Sequence, residues 1–377
     1  MKFRVERDAL ADAVAWTAKS LPTRPPVPVL AGVLLEVENH RLTVSGFDYE
    51  VSGQVGLDVD AETAGRVLVS GRLLAEITRA LPAQPVQVSV DGPRAEITCG
   101  AGRFTLPTMP VEDYPTLPAM PNVAGTIAGE DFASAVAQVA VAAGRDDTLP
   151  VLTGVRLERE GERLTLAATD RYRLAVREVT WRPGTPDATT QALVPARTLS
   201  DTAKAMGGAG EVVLALSQPG LGEGNIGFSG AGRRTTTRLL DGEFPKYRSL
   251  LPESHAAQAE VPTAALVEVV KRVSLVAERN TPVRLRFADG EVTLEAGGTD
   301  DARASESMAA VYSGDDMTIA FNPQFLLDGL GAIAAETAVL SFTAPQKPAV
   351  ITGRRGDEAA DKASDYRYLL MPVRLSG

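Results

Sequence analysis

The chain says the same thing three times, and each statement is long enough to be a domain. An amphipathic helical segment, a Pro- and Gly-marked string, strands around an acidic turn and a second short helix recur at intervals of roughly 120–130 residues, against about 20–50 for solenoid and propeller units. The copies open at Glu6-Arg7-Asp8-Ala9-Leu10, Gly129-Glu130-Asp131-Phe132 and Pro262-Thr263-Ala264-Ala265-Leu266. After the first two come near-identical strings, Pro28-Val29-Leu30-Ala31-Gly32-Val33-Leu34-Leu35-Glu36 and Pro150-Val151-Leu152-Thr153-Gly154-Val155-Arg156-Leu157-Glu158. The third string is more worn, Thr281-Pro282-Val283-Arg284-Leu285-Arg286-Phe287. A unit of this size carries its own core, so three of them in one chain point to a symmetric object.

Within a copy the periodicity sets the elements. Leu10, Ala13, Val14, Thr17 and Leu21 fall on one helical face. Strands are predicted at 33–37, 41–45, 50–57 and 66–70, then a helix at 72–81 with Ser70 as its N-cap. Copy two gives strands at 163–168 and 173–179 around Thr169-Asp170 and a helix at 197–206. Copy three gives strands at 291–296 and 317–321 and a helix at 324–333 after Asn322-Pro323, where a proline costs least. Proline-rich connectors at 115–121 and 251–255 place the boundaries, giving domains 1–122, 123–252 and 253–377. The charged, Gly/Ala-rich stretch 353–365 reads as a mobile loop before a last strand at 366–375. The expected class is α+β: three similar domains, each with two helices packed on antiparallel sheets.

Charged residues at 23% and apolar ones at 44% describe an ordinary globular protein, and no apolar run approaches the ~20 residues of a membrane span. The start alternates like a strand rather than forming a signal peptide, and the expected setting is cytoplasmic. The single cysteine, Cys99, excludes an internal disulfide and a cysteine-cluster metal site; it reads as a small buried hydrophobe in a strand.

Catalytic signals fail one by one. Gly222-Glu223-Gly224-Asn225-Ile226-Gly227 matches GxGxxG, but β-like sequence follows where the dinucleotide fingerprint needs a helix. His40 and His255 sit in a turn and a connector. The pairs Asp146-Asp147, Asp300-Asp301 and Asp315-Asp316 lie in turns, where aspartate bonds its own backbone. No catalytic residue, cofactor or metal is expected.

Net charge is −10, which by itself opposes nucleic-acid wrapping. The distribution matters more. Arg72 and Arg79, Arg197 and Lys204, and Lys271 and Arg272 with Arg279 sit on the predicted helices, while Lys19 and Arg24 end the first helix and Arg145 its counterpart. Repetition brings such faces to one shared surface, and basic charge there inside an acidic body describes a lined channel. Two helices per repeat and two chains of three repeats, at ~8–10 Å spacing, give a ring of ~100–120 Å circumference and an opening of ~35 Å. Duplex DNA fits through it.

Met1-Lys2-Phe3-Arg4-Val5-Glu6-Arg7, Ala168-Thr169-Asp170-Arg171-Tyr172-Arg173-Leu174 and Met371-Pro372-Val373-Arg374-Leu375, in that order, resemble the bacterial sliding clamps, the beta subunits of DNA polymerase III. The resemblance covers the whole chain, and the Thr-Asp-Arg-Tyr-Arg variant resembles actinobacterial members. It implies a non-catalytic, head-to-tail homodimeric ring that encircles duplex DNA non-specifically and gives the replicative polymerase its processivity. DNA contacts are then expected from Arg24, Arg79, Arg145, Arg197, Lys204, Lys271 and Arg279, and dimer contacts from Phe104 and Leu106 against Leu275 and Val276. A partner-peptide pocket is implied at Leu152, Thr169, Tyr172, Arg173, Leu174, Pro245, Leu250, Met371, Pro372, Val373, Arg374 and Leu375. Implied partners are the polymerase alpha subunit, the clamp loader, repair polymerases, ligase and mismatch-repair proteins, in a nucleoid-associated location. Arg171-Tyr172 where many members have Gly-His, and Ser249 where many have Arg, bear on peptide preference. Two other readings remain: a second-copy, inhibitor-resistant clamp, and a nucleotide-dependent enzyme using the 222–227 loop.

Overall fold

The computed structural model describes residues 1–185, 189–217, 224–277, 281–288, 290–297, 302–356 and 365–374. Among them are six α-helices: α1 (Arg7–Thr17), α2 (Gly71–Ala80), α3 (Gly129–Ala140), α4 (Ala196–Met206), α5 (Thr263–Val273) and α6 (Pro323–Gly331). They fall two to a repeat, on antiparallel sheets. No described helix is long and apolar enough to cross a membrane.

The chain forms two compact units. The first holds a 14-stranded sheet in which Arg233–Arg238, from the second repeat, pairs antiparallel with Val51–Asp58 of the first. Its largest core joins Phe3, Leu10, Val14, Leu35, Leu74, Ile97 and Cys99, so the buried-cysteine expectation matches. The second unit holds a nine-stranded and a four-stranded sheet. There Tyr366–Leu370, from the third repeat, pairs antiparallel with Arg173–Thr180 of the second.

The helices form as their apolar spacing dictates. In α1 the buried residues are Leu10, Ala13, Val14 and Thr17, and in α5 they are Leu266, Val269, Val270 and Val273. The side chain of Asn322 accepts a bond from the Phe325 N–H at 3.1 Å, and Pro323 takes the first helical position of α6. Ser70 holds the N-cap position of α2, but its side chain makes no capping bond.

The string Pro28–Ala31 is a 3-10 turn with Pro28 in its first turn, and the strand expected at 33–37 follows from Gly32. One further expectation is corrected. The last strand stops at Leu370 rather than 375, and residues 357–364 of the expected loop lie outside the described ones. Asn225–Gly230 is a strand in a hairpin with Arg233–Arg238, so the GxGxxG match leads into no helix; residues 222 and 223 are outside the described set.

Helix α6 is set against Tyr366–Leu370 by one close approach. A Cβ at Gly329 stands 2.3 Å from the Tyr368 ring, and Tyr368, fully buried, donates its hydroxyl to the Phe325 carbonyl at 2.8 Å. A methyl group there is overpacking, which costs about 1–3 kcal/mol. Gly329→Ala is expected to lower the thermal unfolding midpoint accordingly, whereas Gly331→Ala, with open space around its Cβ, leaves the midpoint in place or raises it.

Candidate binding site

In the second unit a turn, a loop and a helix enclose a cavity of about 630 Å³. The turn is Thr169 to Arg173. Asp170 Oδ1 accepts the N–H groups of Tyr172 and Arg173 at 3.0 and 3.1 Å. Thr169 Oγ1 accepts the Arg171 N–H at 3.2 Å and donates to the Arg173 carbonyl at 2.7 Å. These bonds hold Arg171 at φ +80°, a left-handed conformation that costs a non-glycine residue about 1–2 kcal/mol.

The loop wall carries Ala143, Gly144, Arg145, Asp146, Leu149 and Leu152, and α6 adds Gln324, Phe325 and Asp328. Asp146 is held below the usual carboxylate range, first by the hydroxyl and N–H of Thr148 and then by the charge of Arg171.

Arg173 ties turn to helix. Its guanidinium is buried, 3.0 Å from Asp170 Oδ2 and 2.5 Å from Asp328 Oδ2, and lies 4.3 Å from the centre of the Phe325 ring. Burial alone lowers its affinity for the proton, but the bond to Asp328 and the contacts with Tyr368 and Asp170 outweigh burial and raise it. It is a fixed charge whose directions are taken up inside the wall. Tyr172, by contrast, is exposed, and its ring stacks on Phe325 with centroids 6.2 Å apart.

The expected pocket residues divide three ways. Leu152, Tyr172 and Arg173 line the cavity. Thr169 and Leu174 are buried, Thr169 shaping the turn and Leu174 packing with Phe244, Tyr247 and Leu369. Pro245 is half-buried and Leu250 exposed, and neither lines the cavity. The Met371 N–H donates to the Tyr172 carbonyl at 2.9 Å and the Val373 N–H to the Ala320 carbonyl at 2.8 Å, so this segment is tied to the turn. Pro372 is half-buried, Arg374 is exposed, and Leu375 lies outside the described residues. Phe325, Asp328 and Gln324 were not foreseen; Asn322-Pro323 marked the start of their helix but not what it faces.

Of the expected phosphate contacts, Arg24, Arg79, Arg197 and Lys204 are exposed, and Arg79 lines a second cavity with Arg72 and Glu76 in the first unit. Arg145 instead lines the cavity beside Arg171. Lys271 is exposed but paired with Glu268 at 2.8 Å, and Arg279 lies outside the described residues. At the expected dimer contacts, Phe104 is exposed, Leu275 is 84% exposed and Val276 half-buried. Leu106 is corrected: it lies two positions after Phe104 on the same strand but packs into the core and is 1% exposed.

Three two-helix repeats joined through their sheets, with an apolar platform set between charged walls, define a clamp-type binding scaffold. Profiles of the DNA polymerase III beta subunit match the chain in order: the N-terminal domain over residues 1–118, the central domain over 126–246 and the C-terminal domain over 248–374. The chain is 62% identical to the beta sliding clamp of Streptomyces coelicolor over all of both chains. It is 48% identical to the beta sliding clamp homolog GriR of Streptomyces muensis over 99% of each. A crystal structure of a Pseudomonas aeruginosa sliding clamp bound to griselimycin superposes with a TM-score of 0.90 at 27% identity, covering all of both chains. The chain therefore belongs to the DNA polymerase III beta subunit family, the bacterial sliding clamps, and resembles actinobacterial members most strongly among these. It is a non-catalytic processivity subunit acting in DNA replication, and the nucleotide-dependent reading falls.

Removing Asp328 leaves the buried Arg173 with one carboxylate. Breaking a fully buried pair costs ~3–5 kcal/mol; the Asp328 side chain keeps 24% of its surface in water, so the expected loss is smaller, about 1–3 kcal/mol. Asp328→Ala should show this in chemical denaturation, and Asp328→Asn, which retains a bond to Arg173, should lose less.

Proposed function

We propose that two copies of this chain close head-to-tail into a ring around duplex DNA and carry the replicative polymerase through the Thr169–Tyr172–Phe325 pocket. Domain boundaries near residues 122 and 252 accompany this reading, supported by the matched spans 1–118, 126–246 and 248–374. The observation that carries the ring is a pair of open edges. Among the described residues Gly102–Met109 pairs on one side with Arg94–Cys99 and on the other only through Thr108 and Met109, leaving residues 102–107 open beside the exposed Phe104. Ala304–Ala309 pairs, among the described residues, only with Glu291–Ala296, and α5, which leads into Leu275, packs on it; Arg272 binds Glu306 there at 2.6 Å. Exposed edges with apolar neighbours are a liability unless covered.

The pocket's apolar platform and polar rim suit a short peptide anchor. Ordering a flexible peptide holds each contact to roughly micromolar strength, which lets the polymerase alpha subunit, the clamp loader, repair polymerases, ligase and mismatch-repair proteins exchange on one ring. Griselimycin, present in the Pseudomonas aeruginosa structure, is carried over as a ligand of this pocket. A cytoplasmic, nucleoid-associated location follows. The higher identity to the Streptomyces coelicolor clamp than to GriR favours the replicative clamp over an inhibitor-resistant second copy.

Leu275→Lys combined with Val276→Glu is expected to halve the mass found by sedimentation equilibrium; a variant still dimeric places the interface elsewhere. Arg24, Arg79, Arg197 and Lys204 are proposed to touch phosphates without reading bases. Each single change to Gln should flatten the salt dependence of duplex binding by about one unit of log–log slope, equally on unrelated sequences. A base preference lost on mutation contradicts that assignment.

A further inference from the structure

Tyr172 does not simply border the cavity; its ring stacks, offset, on Phe325 with centroids 6.2 Å apart. Phe325 is held at every point the structure records. Its N–H is bonded to Asn322, its carbonyl takes the Tyr368 hydroxyl, and its ring carries the Arg173 guanidinium, which is itself pinned between Asp170 and Asp328. Tyr172 is held differently. Its backbone is fixed by Asp170 and by the Met371 N–H, yet the residue is 58% exposed and its hydroxyl has no partner among the described residues. The stack on Phe325, planes 28° apart, is the aromatic contact recorded for the ring among the described residues.

A fixed platform thus lies under a ring that a side-chain rotation can remove, and exposed side chains rotate in picoseconds to nanoseconds. The strained Arg171, kept left-handed by its neighbours' bonds, sets the direction from which the Tyr172 side chain leaves the backbone. The remaining apolar lining, Ala143, Leu149 and Leu152, is aliphatic. An incoming apolar anchor therefore finds its one aromatic platform already occupied.

We infer that Tyr172 is a specificity-determining residue: in the free protein it occupies the face of Phe325 that a partner's apolar anchor takes, and every ligand must displace it. This rests on the reading of the cavity as the partner-peptide pocket. An aromatic anchor replaces the stack like for like, whereas an aliphatic one must make up for its loss. One aromatic stack corresponds to about a 2- to 12-fold change in affinity.

The test measures griselimycin and the purified polymerase alpha subunit binding to the intact dimer by surface plasmon resonance. Tyr172→Phe keeps the ring and should bind griselimycin as the parent does. Tyr172→Ala should bind it about 2- to 12-fold more tightly, because displacement is no longer needed. Weaker or unchanged binding by Tyr172→Ala, with the parent binding normally, overturns the inference and leaves the pocket reading standing. Absence of binding to the parent, or binding untouched by Phe325→Ala, overturns both. In Tyr172→Trp the added indole emission should become more accessible to acrylamide when griselimycin binds. An indole that stays as shielded as in the free protein shows that the ring never leaves Phe325, and the inference fails.

Discussion

Backbone pairing between one repeat's last strand and its neighbour's hairpin is the constraint on which the rest depends. Arg233–Arg238 lies on Val51–Asp58, and Tyr366–Leu370 lies on Arg173–Thr180. At both junctions an aspartate caps the turn ahead of the receiving strand, Asp48 for Glu50 and Val51, Asp170 for Tyr172 and Arg173. The chain then leaves by the same bond, Arg238 N–H to Glu50 carbonyl at 3.0 Å and Met371 N–H to Tyr172 carbonyl at 2.9 Å. Because the central repeat gives strands to both junctions, the division into compact units cuts through it.

The same backbone junction occurs twice, but the side chains placed on it differ. Where the second has Tyr172 and Met371, the first has Glu50 and Arg238. At the second junction Tyr172 stacks on Phe325, and Arg173 lies over the same ring as a buried charge faced by both Asp170 and Asp328. A buried charge left with a missing partner is strongly destabilising. The arrangement therefore fixes the spacing between the turn and α6 more firmly than apolar packing alone.

Local features were legible from the sequence, and contacts across the repeats were not. Strands at 291–296 and 317–321 form over the residues that their alternation marks, and Asn322-Pro323 starts α6 as its chemistry requires. Ser70 shows the limit of a local rule: the helix begins after it without using its hydroxyl. Leu106 shows another, since it shares a strand face with the exposed Phe104 and yet is covered by the core, which no local pattern reveals. Tyr172 and Arg173 could be read from the Thr-Asp-Arg-Tyr-Arg string. Asp328 could not, for it meets Arg173 from 155 positions away, and nothing in the spacing of α6 says which of its polar residues turns towards a distant turn.

Charge resolves the apparent conflict between an acidic chain and a DNA-encircling ring. Several exposed cations are neutralised where they stand: Lys271 by Glu268, Arg272 by Glu306, Lys19 by Asp201. Arg24, Arg79, Arg197 and Lys204 make no such pair among the described residues. A few uncommitted cations against a phosphate backbone give contacts that salt weakens and that carry no sequence information. For a ring held on DNA by closure, that weakness is the requirement, since each phosphate contact must break for the ring to advance. A uniformly basic surface would bind more tightly and slide less freely, so a net charge of −10 with a sparse basic lining is the composition the proposed topology calls for.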